Sequence, residues 1–122
     1  MTTTDLSPDE PRNESALASY RSISIGSGWI AGRVLFRTRV LMADEVRTVE
    51  VYTEESGAQS IIVGSGPLRG IAVPVRALEL NARLRTALHH LVVRAHVAGA
   101  EVHAAVWRMV PEPTTGCAAT AP

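Results

Sequence analysis

The chain has no lysine. Its twelve basic residues are all arginine, matched by twelve acidic ones, and the formal net charge is zero. That balance argues against a protein that holds nucleic acid by bulk charge alone. The arginine usage points to a GC-rich, bacterial coding sequence. Its functional reading is bidentate contact to carboxylate or phosphate. The single cysteine, Cys117, cannot form an internal disulfide, and its Thr/Ala/Pro surroundings are a poor place for a positioned nucleophile. With only five aromatic residues (Tyr20, Trp29, Phe36, Tyr52 and Trp107), the core must be built from Val, Ile, Leu and Ala. No apolar run approaches the ~18 residues of a membrane helix. The opening MTTTDLSPDEP lacks the basic and apolar regions of a secretory leader. The expected setting is the cytoplasm, with no membrane partner.

Catalytic and cofactor signatures are also missing. No GxSxG elbow, HExxH pair or second cysteine occurs. His89 and His96 are seven residues apart, about 10 Å along a helix, which is too far for two ligands of one ion. His90 and His103 complete the histidines, and no metal site is assigned. Glu101 and His103 beside Trp107 are the nearest approach to an acid–base pair in an apolar setting, and they do not amount to one. No catalytic, cofactor-binding or metal residue is assigned, and a non-enzymatic reading is preferred.

What is present begins with an internal echo. SISIGSGWIAG (Ser22–Gly32) returns 38 residues later as SIIVGSGPLRG (Ser60–Gly70), with six identities in eleven positions. A phosphate-cradling loop requires a helix after the glycines, whose N-terminus supplies the amides. Here the first copy runs into RVLFRTRVL and the second into IAVPV, both strand-like. Two strand–turn units are expected, with glycine supplying the reversal. Duplication is not expected, because the next matching dipeptides, Arg47-Thr48 and Arg85-Thr86, fall on a strand and a helix.

The fold class expected is α+β: an antiparallel β-meander of about four to five strands packed on one long amphipathic helix (about 76–98), followed by a final strand (about 101–110). Residues 1–14 and 111–122, poor in core formers, are expected as tails flanking a single domain over 15–110. A first strand is expected within Ala18–Ile25. Gly32–Met42 and Val46–Glu54 both alternate with period two. Pairing them about Asp44–Glu45 places Phe36 and Val51 on the core face and Arg33, Arg37 and Arg39 outside, opposite Glu50, Tyr52 and Glu54. Ser60–Val63 and Ile71–Val75 form a second hairpin, with Pro74 at an edge or strand end. Ala77, Leu80, Leu84, Ala87, Leu88, Leu91, Ala95 and Ala98 make the helix's apolar stripe. Pro74 or Asn81 opens the helix, and Gly99 closes it. Over 101–110 a helical alternative stays open, since Val102, Val106 and Met109 also repeat at i, i+4, i+7.

Three functional readings follow. The first is a protein–protein interaction or regulatory module, self-associating as a homodimer, with Trp29, Leu68, Val93, Val97 and Trp107 as partner-binding candidates. The second is a small-ligand pocket, or a minor enzyme, between helix and sheet. The third is anion or single-stranded nucleic-acid binding by Arg33, Arg37 and Arg39 with Tyr52 as stacking platform. Pairing of those arginines with Glu50 and Glu54 makes nucleic acid the less favoured partner.

Overall fold

A computed structural model describes residues 16–34, 36–66 and 69–112. The expected tails lie outside these residues, except for Pro111 and Glu112, and so does Leu68. The class is α+β, as expected, but the strands form two sheets. β1 (Ala16–Tyr20), β2 (Ile23–Gly26), β3 (Trp29–Val34) and β4 (Arg37–Met42) make an antiparallel meander in that spatial order. β5 (Thr48–Thr53), β6 (Gln59–Gly64) and β7 (Gly70–Pro74) follow as a second meander. Then come α1 (Val75–Leu80), α2 (Ala82–Val97), the short β8 (Glu101–Val102) and α3 (Ala104–Met109). β8 joins the second sheet in parallel beside β5.

The long hairpin expected between 32–42 and 46–54 does not exist. The chain reverses between Val34 and Arg37, so that β3 pairs with β4, Gly32 opposite Arg39 and Arg33 opposite Thr38. β5 pairs with β6 instead, Glu50 opposite Ile62 and Tyr52 opposite Ser60. Phe36, expected inside, is 91 % exposed at the reversal. The expected first strand is likewise split at Arg21–Ser22, with Tyr20 paired to Ile23. The second hairpin forms as expected, Ile61 opposite Val73 and Val63 opposite Ile71. Pro74 ends β7 at the sheet edge, where its missing N–H costs no ladder bond. Both echoed stretches are strand–turn–strand units.

Each sheet sends one face to a shared core. Ala18, Ile25, Ile30 and Leu41 do so from the first sheet, and Val49, Ile61, Val63, Ile71 and Val73 from the second. The sheets touch where Gly32 faces Ile71. A Cβ on Gly32 would lie 2.7 Å from the Ile71 Cγ2, so glycine sets the closeness of this contact.

α2 covers the core with Leu84, Ala87, Leu88, Leu91, Val92 and Ala95. These positions repeat at three and four residues, which gathers them on one stripe. The single helix expected over 76–98 is broken at Asn81. Its backbone is extended there, and its Oδ1 accepts a 3.0 Å bond from the Leu84 N–H, capping α2. The break turns Leu80 out to solvent although its spacing fits the stripe. Gly99, at φ 114°, ends α2: its N–H reaches the His96 carbonyl and that of Ala100 reaches Ala95, the paired bonds of a Schellman turn.

Over 101–110 the helical alternative prevails after two strand residues. Glu101 N–H donates to the Arg47 carbonyl and His103 N–H to Val49, fixing β8 beside β5. His103 Nδ1 then accepts from the Ala105 N–H at 3.1 Å and caps α3. Val106 in α3 and Val110 just after it are fully buried.

Candidate anion-binding surface

From Ala16 to Met42 the chain carries Arg21, Arg33, Arg37 and Arg39 and not one carboxylate. The first sheet is therefore a unit of formal charge +4 inside a chain of net charge zero. The fold gathers this charge at one end. β1 and β3 run in the same direction, so the β1–β2 turn (Arg21, Ser22) and the β3–β4 reversal fall side by side. Four strands at about 4.8 Å each spread the arginines over about 14 Å. The acidic residues Asp44 and Glu45 follow β4 at the opposite end, where the Ala43 N–H bonds the Gly28 carbonyl.

Alternation places Arg33 on the face of Thr38, Val40 and Met42, while Arg37 and Arg39 lie on the face of Ile30 and Leu41. The expectation of all three arginines on one face is corrected: the reversal flips the phase. Arg33 and Arg37 are exposed and Arg39 is half-buried at the rim. Phe36 projects between them at the tip. Arg21 has a left-handed backbone, φ 54°, uncommon outside glycine, and its guanidinium lies 5.4 Å from the centroid of the Tyr20 ring, within cation–π range.

The corrected register removes the acidic partners expected for these arginines. Glu50 belongs to the second sheet and Glu54 to the turn after β5. Tyr52 goes with them. It is exposed, but on the other sheet, opposite Ser60 and not opposite Arg37 as expected. Phe36 is the exposed aromatic residue at the reversal that carries Arg33 and Arg37. The signal that could have revealed it was the length of the alternating run: eleven residues from Gly32 to Met42, against about five or six in an ordinary strand.

The other candidates divide. Trp29 is 7 % exposed and lies flat on Gly26, where any Cβ would collide with the indole. Trp107 is half-buried between His89 and His96, with ring centroids 6.1 and 5.8 Å away. The two histidines are committed to the fold: His89 Nδ1–H donates to the Val110 carbonyl at 2.8 Å, and His96 Nδ1–H to Ala100 at 3.4 Å. Val93 and Val97 face solvent, Val97 at 81 % exposure. Among the described residues, no group of three His, Cys, Asp or Glu is placed to hold a metal ion. Nor is any described helix long and apolar enough to cross a membrane.

Two surface clefts carry polar side chains of interest. One, of about 540 Å³, is lined by Gln59, Glu79, Arg85, Thr86, Arg108 and Glu112. Its Arg85 already donates to the Leu78 carbonyl at 3.0 Å. The other, of about 600 Å³, lies along the β5–β8 edge with Glu50, His96, Glu101 and His103. Its His103 is occupied in capping α3. Comparison with protein-family models, with curated proteins and with solved structures finds no match to this chain.

Proposed function

We propose that this protein is a non-enzymatic interaction module, and that it engages an anionic partner through the arginine-bearing end of its first sheet. The observation that carries the reading is the segregation of charge. Four arginines without a carboxylate share one end of a four-stranded sheet, around a phenylalanine that contributes nothing to the core. Exposed arginines interleaved with aromatic side chains are the usual makeup of a recognition surface. An exposed Phe gains roughly 1.5–3 kcal/mol when a partner covers it. A cytoplasmic setting fits this reading.

Retention on a polyanionic matrix tests it. The wild-type protein is expected to bind heparin–agarose at low ionic strength, and Arg33→Glu/Arg37→Glu to elute at distinctly lower salt. Wild-type protein in the flow-through would refute the reading.

Self-association is the second reading, favoured by a separate observation. Leu17, Val40 and Met42 are exposed on the face of the first sheet that points away from the core, and β4 is an open edge. Sedimentation equilibrium tests it: a concentration-dependent dimer that Met42→Glu dissociates supports the homodimer, and a monomer at all concentrations excludes it.

A further inference from the structure

We infer that the anionic partner is single-stranded nucleic acid, with Phe36 as the base-stacking platform and Arg33, Arg37, Arg39 and Arg21 as the phosphate contacts. This rests on the anion-binding reading above and narrows it.

The narrowing comes from the geometry of the tip. Phe36 is almost wholly exposed at a chain reversal, where a ring can present a face clear of its own sheet. Arg33 and Arg37 leave the hairpin on opposite faces beside it. A partner that meets the ring must therefore carry negative charge on both sides of an apolar or π surface. Single strands have that pattern, bases alternating with phosphates, and base–aromatic stacking is sequence-tolerant because every base has a π-face. An acidic polypeptide has the charge without a ring at every repeat of its backbone. A duplex has its rings stacked internally, and reaching them costs unstacking. Arg37 and Arg39, two residues apart on one strand, stand about 6.7 Å apart along it, so they can follow a backbone rather than clamp a single phosphate. Arg21, fixed over Tyr20, extends the same track across the sheet.

Fluorescence anisotropy with labelled 12-nucleotide oligo(dT) and oligo(U) tests the inference. The competitors are a duplex of equal length, poly-glutamate, and vesicles rich in phosphatidylserine. If all four arginines meet phosphates, log K should fall with log salt at a slope of about −2.8, from about 0.7 per contact on single strands. Arg37→Ala is expected to lower that slope by about 0.7. Phe36→Ala is expected to weaken binding about 5- to 150-fold and leave the slope unchanged. Phe36→Trp is expected to keep the affinity, with indole emission quenched by the bound strand. Because both side chains are exposed, the melting temperature of each variant should match wild type.

Retention on heparin with no oligonucleotide binding, or with poly-glutamate, duplex or vesicles bound equally well, overturns this inference and leaves the anion-binding reading standing. Absence of heparin retention overturns both. An unchanged affinity for Phe36→Ala removes the stacking role.

Discussion

Replacing Gly32 by alanine tests how the two sheets are held together, and with them the angle at which the β3–β4 hairpin carries its arginines. The new Cβ would stand 2.7 Å from the Ile71 Cγ2, with Ile71 Cγ1 and Cβ at 3.7 and 3.8 Å. Two carbons prefer about 3.5–4.0 Å, so about 1 Å must be recovered. Ile71 is fully buried, so its side chain cannot swing out to solvent without losing that burial. Overpacking of this kind costs roughly 1–3 kcal/mol. Alanine also restrains the unfolded chain relative to glycine and returns roughly 0.4–1 kcal/mol. The net loss expected is about 0–2.6 kcal/mol, read from the urea midpoint at constant m by circular dichroism.

The sharper form is a double-mutant cycle. Ile71→Ala alone should cost about 2–5 kcal/mol through the cavity it leaves. In Gly32→Ala/Ile71→Ala the added methyl points into that cavity, so the double variant should be more stable than the sum of the singles by about 1 kcal/mol or more. Additivity within about 0.5 kcal/mol would show that the two residues do not meet, and the packing of the sheets described above would be wrong.

Three further outcomes are expected. Asn81→Ala should cost about 1 kcal/mol through loss of the cap on α2, and Asn81→Asp should retain most of it; equal losses from both would remove the cap. His89→Ala should lose the bond to the Val110 carbonyl, about 0.5–1.5 kcal/mol, and in a Trp29→Phe background should shift Trp107 emission to the red; a fixed emission maximum would mean that Trp107 does not lean on His89. Arg39→Ala and Glu50→Ala, on different sheets, should combine additively within about 0.5 kcal/mol; a favourable coupling near 1 kcal/mol would restore the hairpin pairing that the structure replaces.

The C-terminal half was largely legible in the sequence because its signals are redundant. Leu84, Leu88 and Leu91 repeat at helical spacing, Asn81 and Gly99 are cap residues, and the glycines around Ser65 mark the second hairpin. The N-terminal half misled for one physical reason. Glycine, proline, asparagine and aspartate are the residues that usually announce a reversal, and none of them marks the one between Val34 and Arg37. The reversal also leaves the alternation of the sequence unbroken while the inward parity changes, from Ile30 and Gly32 to Arg39 and Leu41. Leu41, which closes the series Arg33, Leu35, Arg37 and Arg39 with a buried apolar side chain, was a residue out of phase. The candidate surface inherits this history. Its arginines were visible, but their partners were misassigned with the register, and Phe36 was counted as core. The burial of Trp29 had no sequence signature beyond Gly26, whose missing side chain makes room for the indole.

The pairing of β8 with β5 also sets an order of events during synthesis. β1 to β4 close within 27 consecutive residues, Ala16 to Met42, so that meander can form as soon as it leaves the ribosome. The start of β5, Thr48–Val49, has no such neighbour in reach on the side that β8 covers. It gains its bonds only when Glu101 and His103 emerge, some fifty residues later. At about 5–20 residues per second, that edge stands open for roughly 3–10 seconds in every round of translation. Over that interval the open edge is the part of the chain that a second nascent strand would meet first.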